Sequence, residues 1–232
     1  MGYLTQSIED FSVAIELDPS KADFVHNRGL AYRKLGQMTK AIEDFNRTLV
    51  LDPQHYKAFY NRGFCYEMNG ALETAVQDYQ QALRIKPQNQ IVLYRLGQVH
   101  EKLGAHDKGQ LKESEKYYMR LLKINPNHGP SYNGLGLLYD AMRDHERALR
   151  YFDKAIKTEP ANSVYLHNKG CCYRRMKKYE ESLNYLFQAL KCDTKNPLIY
   201  SSLGYYSFYI ERHFENWRDL MKQFLPIPMN LS

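Results

Sequence analysis

Small, aromatic and apolar residues recur along the chain in a fixed order, with a period near 34 residues. Six glycines mark the period at intervals of 34, 34, 39, 34 and 34 residues: Gly29, Gly63, Gly97, Gly136, Gly170 and Gly204. In the first copy, Tyr32, Ala41, Phe45 and Thr48 follow the glycine, and most other copies hold similar residue types at these positions. Spacings of three and four residues place side chains on one helical face, so each period predicts two antiparallel helices.

Glycines and prolines indicate where these helices end. Gly36 and Gly70 are well placed to end the first helix of a copy with a positive φ. A proline closes the second helix of most copies, where it cannot continue the coil: Pro53, Pro87, Pro126 and Pro160. A fixed period of this length is typical of one supersecondary unit that is stacked on copies of itself.

The stretch HNRGLAYRKLGQMTKAIEDFNRTLVLDP (His26–Pro53) resembles a tetratricopeptide repeat (TPR), and the resemblance recurs over about residues 5–204. Four residues depart from the family pattern: Arg28, Arg62 and Lys169 where leucine is usual, and Thr194 where a fifth proline is expected. The resemblance implies an all-α fold, a right-handed superhelical solenoid of antiparallel helix pairs.

The repeat register divides the chain into one half repeat, five full repeats and a degenerate end. The expected boundaries are 3–19 for the half repeat, then 22–55, 56–89, 90–128, 129–162 and 163–196, followed by 197–225 for a degenerate repeat with a capping helix and 226–232 for a tail. The first segment matches only the second half of a repeat. We therefore expect that the sequence is a fragment or an isoform, or that another chain covers the surface of this helix. At the other end an apolar stripe predicts a closing helix over Phe214–Phe224, which Pro226 and Pro228 stop.

The 39-residue interval places five extra residues in repeat 3, within Gly104–Ser114. We expect a longer inter-helix loop, since lengthening a loop costs little entropy. The alternative is a projecting contact for one partner, because insertions in solenoids map to one face.

Composition narrows the location and the chemistry. No run of about 18 apolar residues is present, so no membrane span is expected. Cys65, Cys171, Cys172 and Cys192 have no paired spacing, which is typical of reduced thiols in a cytoplasmic protein. No catalytic, metal-binding or phosphate-binding motif appears, so we predict a protein that is not an enzyme and needs no cofactor or metal.

The net charge of +6 is concentrated in part at Arg174, Arg175, Lys177 and Lys178. Cations at the end of a helix complement its dipole, and charge runs generally face solvent. The alternative interpretation is a contact for an acidic partner segment. Nucleic acid is not expected, because the aromatic and basic motifs of the usual binding modules are missing.

In a solenoid of this kind the first helix of each pair lines the concave side, and the register names the residues that face inward. The predicted partner-binding residues are His26, Asn27, Tyr60, Asn61, Phe64, Tyr94, Arg95 and Asn168. Asn27, Asn61 and Asn168 hold one equivalent position, which resembles part of the asparagine ladder in O-linked N-acetylglucosamine transferase repeats. An asparagine amide both donates and accepts hydrogen bonds, so it suits a peptide backbone. The alternative is a solvated polar face.

These observations favour a non-catalytic scaffold that binds an extended or helical segment of a partner protein in its concave groove. Two other hypotheses stay open. One is a structural subunit of a larger cytoskeletal or ciliary assembly, and the other is the recognition portion of an enzyme whose catalytic domain lies in another segment. Related repeats hold a chaperone partner's C-terminal carboxylates with a clamp of lysine, asparagine and arginine residues. Only Asn61 and Arg95 match it in repeats one to three and only Asn168 in repeats four to six, so such a clamp is not expected.

Overall fold

The computed structural model of the protein describes residues 2–104 and 107–210. These residues form twelve α-helices and no strand. The helices are α1 (Gly2–Leu17), α2 (Ala22–Lys34), α3 (Met38–Leu51), α4 (Tyr56–Met68), α5 (Leu72–Ile85), α6 (Gln90–Leu103), α7 (Lys108–Ile124), α8 (Gly129–Ala141), α9 (His145–Thr158), α10 (Ser163–Arg175), α11 (Tyr179–Cys192) and α12 (Pro197–Ile210). The closing helix expected at Phe214–Phe224, with Pro226 and Pro228, lies outside the described residues.

The chain divides into two compact units, Met1–Pro126 and Asn127–Ser232. In the first unit α2 packs on α3, α4 on α5 and α6 on α7, and α1, α3 and α5 each pack on the helix that follows. In the second unit α8 packs on α9 and α10 on α11, with α9 against α10 and α11 against α12. The all-α fold of consecutive helix pairs is therefore confirmed.

Each pair is held together where a glycine on its first helix meets a large side chain on its second. A Cβ added to Gly29, Gly97 or Gly136 would lie within 3.0 Å of ring atoms of Phe45, Tyr118 or Phe152 respectively. Gly63 would meet Tyr79 at 3.0 Å, and Gly170 would meet Leu186 at 3.1 Å. These five large side chains are fully buried, so the pairs pack closely only because the facing residue lacks a side chain.

The turns between paired helices follow the register as well. Gly36 and Gly70 have positive φ angles of 76° and 79°, as predicted. Arg143 and Lys177 hold the equivalent turns of later pairs with φ values of 64° and 60°, a conformation that costs a non-glycine residue about 1–2 kcal/mol. At the other end of the pairs, Pro53, Pro87, Pro126 and Pro160 each stand two residues after the last residue of a second helix.

The expected longer loop takes up only one of the five extra residues of the third pair, because helix absorbs most of them. Helix α6 ends at Leu103 and α7 begins at Lys108, so only one more residue separates them than separates the two helices of the other pairs. Helix α7 instead has 17 residues, where α3, α5, α9 and α11 each have 14. Asp107 caps the added turn, since its side chain accepts a hydrogen bond from the Gly109 amide at 2.8 Å.

Cations replace the usual leucine before the glycine in three pairs, and each is bound between second helices. Arg28 donates two hydrogen bonds to Asp44, at 2.9 and 2.7 Å, and a third to Ser12 on the preceding second helix. Arg62 repeats this arrangement with Asp78 and with Asn46. Two parallel N–H···O bonds of this kind are stronger and more directional than a simple ion pair.

Lys169 makes the corresponding contacts in the second unit. Its ammonium group donates to Asp153 on α9 and, at 2.7 Å, to the Tyr185 hydroxyl on α11. The side chain is 5% exposed, and its ammonium lies 4.1 Å from the centroid of the Tyr185 ring. The three cations that replace leucine are therefore polar clamps that join one helix pair to the second helix of the pair before it.

Gly97→Ala tests the close approach of the helices. Tyr118 is 1% exposed and its hydroxyl donates to Glu101 at 2.9 Å, so the ring cannot move aside freely. We expect a loss of about 1–3 kcal/mol in the free energy of unfolding, measured by urea denaturation. Gly63→Ala, whose Cβ has slightly more room, is the matched control and should lose less; an equal loss in both variants would count against ring contact as the cause.

Arg62→Leu tests the polar clamp. The change restores the residue usual in the family but leaves the Asp78 carboxylate, which is 6% exposed, without its partner. We expect a loss of about 2–4 kcal/mol in unfolding free energy. Adding Asp78→Ala should recover part of that loss, because the two effects are coupled. Arg147→Leu, which removes an exposed ion pair with Asp144, is the control and should change stability little.

Candidate functional site

The first helices of three successive pairs, α2, α4 and α6, border an open cleft in the first unit. Its volume is about 510 Å³. Charged, polar and apolar side chains line it: Asp23, His26, Asn27, Leu30, His55, Tyr56, Lys57, Tyr60, Asn61, Asn89 and Ile91. Ile91 is 62% exposed, and most of the others are half-buried. The cleft therefore offers an apolar contact beside several groups that can form hydrogen bonds.

A histidine and an asparagine are joined at one side of the cleft. Asn61 Nδ2 lies 3.1 Å from His26 Nε2 and also donates to the Lys57 carbonyl at 2.8 Å. Because the amide group donates, His26 accepts and its imidazole is neutral. The pKa of His26 is lowered from 6.5 to about 4, chiefly by burial and to a smaller extent by the nearby His55 and Lys57.

His55 extends this cluster from the turn before α4. Its Nδ1 accepts the Ala58 amide at 3.0 Å and so caps the helix, while its Nε2 lies 3.4 Å from Asp23. The His26 and His55 rings are 4.6 Å apart. His26 is therefore held by Asn61 on α4 and by His55 in the turn that joins α3 to α4.

Aromatic rings and guanidinium groups stack beside the cleft. Phe64 lies between Arg33, 4.8 Å from its ring centroid, and Arg95, at 5.2 Å. Burial acts to lower the pKa of Arg95, but a hydrogen bond with Tyr60 and nearby negative charge raise it, so the group stays charged. Tyr60 and Tyr94 pack against the buried rings of the second helices, Tyr79 and Tyr118, at 5.8 and 5.9 Å.

The structure therefore brings together seven of the eight residues that the register predicts. His26, Asn27, Tyr60 and Asn61 line the cleft, and Phe64, Tyr94 and Arg95 lie next to it on α4 and α6. His26 and Asn61 are buried at 4% and 6% exposure, and the others are half-buried. Asn168 lies in the second unit, where its amide donates to Asn133 at 2.9 Å.

Sequence reasoning missed the lining residues that precede the inward positions by one or two helical turns. Asp23, His55, Lys57 and Ile91 stand in the first turn of a first helix or just before it. Residues three and four apart share a helical face, so stepping back from Asn27 to Asp23 and from Asn61 to Lys57 would have found two of them. His55 is non-helical, and only the three-dimensional turn shows its place.

The basic run at the end of α10 is partly used within the second unit. Arg175 pairs with Asp140 of α8, and the Arg174 guanidinium lies 4.7 Å from the centroid of Tyr205 on α12. Lys177 forms the turn that follows. These contacts favour a structural role for the two arginines.

Asp140 also accepts from His145 Nδ1 at 2.8 Å, and the thiol of Cys172 lies in the same cluster. Burial, together with the charge of Asp140, raises the pKa of Cys172 to about 12, so this thiol stays protonated. Because Arg175 and His145 already pair with the carboxylate, the group forms an ion-pair cluster between α8, α9 and α10. We assign no metal to it.

No helix within residues 2–104 and 107–210 is both long and apolar enough to cross a membrane.

Family models of the tetratricopeptide repeat match most of the sequence. The matches cover residues 4–55, 26–90, 92–128, 130–162 and 151–184. The chain belongs to the tetratricopeptide-repeat family. Among curated protein sequences none matches this TPR chain.

Solved TPR structures share the fold at low sequence identity. YrrB, described as a TPR protein with an unusual peptide-binding site, is 23% identical, with 85% of this chain and 99% of YrrB covered and a TM-score of 0.67. A TPR protein from Parabacteroides merdae ATCC 43184 is 19% identical, with 86% and 77% covered and a TM-score of 0.75. A chain of the Cut9–Hcn1 hetero-tetramer of APC/C is also 19% identical, with 90% and 40% covered and a TM-score of 0.69.

His26 gives the TPR cleft a pH-dependent stability that can be measured. Its pKa is about 4 in the folded protein against 6.5 normally, so the unfolded chain binds more protons between these values. The contribution of His26 to the free energy of unfolding is therefore fully present above pH 6.5 and is lost as the pH drops towards 4. We expect a loss of about 2 kcal/mol between pH 7 and pH 5, measured by urea denaturation.

His26→Gln keeps a hydrogen-bond acceptor for Asn61 but removes the proton-binding group. The variant should lose less stability over the same pH interval than the natural protein does. His128, whose pKa burial also lowers, remains in both proteins and contributes equally to each curve. Parallel curves for the two proteins would show that His26 is not responsible.

Proposed function

We propose that this TPR protein is a non-catalytic scaffold that holds a peptide or helical segment of a partner protein in the α2–α4–α6 cleft. The observation that carries the proposal is the cleft itself, which is open, is built from the first helices of three pairs and offers apolar and polar groups together. The TPR fold commonly mediates protein–protein interaction. YrrB, which shares the fold, is described as having a peptide-binding site, and the Cut9–Hcn1 chain belongs to a hetero-tetramer.

Different residues of the cleft would serve different parts of a bound segment. Asn27 is half-buried, and its amide, which also interacts with His26, has further donor and acceptor capacity for a peptide backbone. The donor of Asn61 is engaged by His26 and by the Lys57 carbonyl. Ile91 supplies exposed apolar surface. Arg95, stacked on Phe64, presents a fixed guanidinium, and aromatic residues and arginine are frequent binding anchors.

We also propose that the ligand is a protein segment rather than a small-molecule cofactor or nucleic acid. The protein would bind it in the cytoplasm. Cys65, Cys171, Cys172 and Cys192 are all unpaired. Free thiols of this kind are typical of a reducing compartment.

A matched pair of triple variants tests the cleft. Peptides selected on the natural protein from a displayed random library would serve as ligands, with affinity measured by fluorescence anisotropy. The cleft variant carries Asn27→Ala, Ile91→Ala and Arg95→Ala. The control variant carries the same or similar changes on second helices outside the cleft: Asn184→Ala, Val50→Ala and Arg84→Ala.

We expect the cleft variant to bind the selected peptides at least about tenfold more weakly, since loss of one good anchor costs more than about 1 kcal/mol. The control should bind as the natural protein does, and both variants should keep the same helical circular dichroism. Equal peptide affinity in the cleft variant and the control would exclude this cleft as the binding site.

A further inference from the structure

A cysteine, a histidine and a serine meet on the first helices of the second unit. His167 and Cys171 are one turn apart on α10, with His167 Nε2 3.6 Å from Cys171 Sγ. Ser202, on α12, places its hydroxyl 2.8 Å from the same nitrogen and 3.8 Å from the sulfur. Both His167 and Cys171 are half-buried, so the thiol is held by its neighbours while solvent still reaches the pair.

The surroundings favour the thiolate form of Cys171. Burial by itself acts to raise the pKa of the thiol, but the hydrogen bonds and charge of His167, with smaller effects of Ser202 and Arg174, outweigh it and lower the pKa below the ordinary value. The pKa of His167 is raised in turn, chiefly by its hydrogen bond with Cys171. Tyr206 on α12 and the neighbouring Cys172 also interact with this thiol.

The other three cysteines lack this combination. Cys65 and Cys172 are buried, and burial raises the pKa of each thiol, to about 11 and about 12. Cys192 is exposed near the end of α11. Reactive cysteines are typically partly exposed and stand next to a cationic partner. Cys171 combines partial exposure with a hydrogen bond between its sulfur and an imidazole nitrogen, whereas Cys172, which lies near His145, is buried.

We propose that Cys171, activated by His167, is a reactive thiol that low-molecular-weight disulfides modify selectively. The Cys171 thiolate attacks one sulfur of the disulfide, a new S–S bond forms as the disulfide's own S–S bond breaks, and the other half leaves as a thiolate. The leaving thiolate takes up the proton that His167 received from Cys171, or one from water. The Cys171 sulfur is thereby oxidised to a mixed disulfide and the leaving half is reduced.

This modification site does not depend on the α2–α4–α6 cleft, which lies in the other unit. The adduct would lie next to Asn168, between α10 and α12, where His167 and Ser202 are already in contact. A small disulfide would therefore report on the second unit alone.

The test follows the rate of modification at each cysteine of the full chain with 4,4′-dithiodipyridine, an uncharged small disulfide, by peptide mass spectrometry. Near pH 6 we expect Cys171 to react about tenfold faster than the exposed Cys192, because it keeps more of its thiolate form. The ratio should shrink near pH 8.5, because a thiolate of lower pKa is the weaker nucleophile and its advantage in thiolate content is then small.

His167→Gln should lower the rate at Cys171 near pH 6 by about tenfold and leave Cys192 unchanged. Cys65 and Cys172 monitor the fold, since buried thiols stay unmodified unless the helices open. If Cys65 or Cys172 reacts in the variant, the variant has not kept its fold and the test rests on the natural protein alone. In that case the proposal is overturned if the modification rate of Cys171 falls with decreasing pH in parallel with the rate of Cys192. It is also overturned if Cys171 reacts no faster than Cys192 near pH 6, or if a folded His167→Gln variant keeps the natural rate.

Discussion

The close approach of two helices at a glycine is the constraint on which the rest of this structure depends. A glycine in a helix interior costs about 1 kcal/mol relative to alanine, yet five pairs hold one where a buried large side chain of the partner helix lies against the backbone. In the third pair Ser114 adds a hydrogen bond to the Gly97 carbonyl at 2.8 Å, and in the fifth Ser182 donates to the Gly170 carbonyl at 2.6 Å. The glycine thus fixes both the distance between the helices and their register.

Once the pairs are fixed, polar groups set how each pair meets the next. Glu67, with its side chain 1% exposed, receives hydrogen bonds from Tyr79 of its own pair and from Lys102 of the following pair. Arg62 spans from Asp78 to Asn46. Buried charges are tolerated only when they are paired and hydrogen-bonded. These clamps therefore stabilise the arrangement of neighbouring pairs in which α2, α4 and α6 border the cleft.

The sequence was sufficient for the features that depend on short spacings. Glycine, aromatic and proline positions lie within one helix pair, and their periods are those of a helix, so the pairs, turns and helix ends were predictable. The clamps were not, because Arg28 and Asp44 are 16 residues apart on different helices and nothing local marks them as partners. The sequence also did not indicate that helix would take up most of the five extra residues in the third pair. Residues such as Lys112 and Gln110 can continue a helix as readily as they can form a loop.

The inward face shows why a residue's register alone does not give its role. Asn27 and Asn61 hold equivalent positions in neighbouring pairs. The amide of Asn61, however, donates a hydrogen bond to His26, the residue directly before Asn27 in the preceding pair. The same step of 35 residues joins Asn133 to Asn168 and His167 to Ser202. Polar residues on this face therefore serve first to connect neighbouring first helices, and a ligand gains affinity only from groups whose hydrogen bonds the stack leaves to it. Which groups those are depends on the residue one pair away, so two proteins with the same repeat pattern can present different binding surfaces.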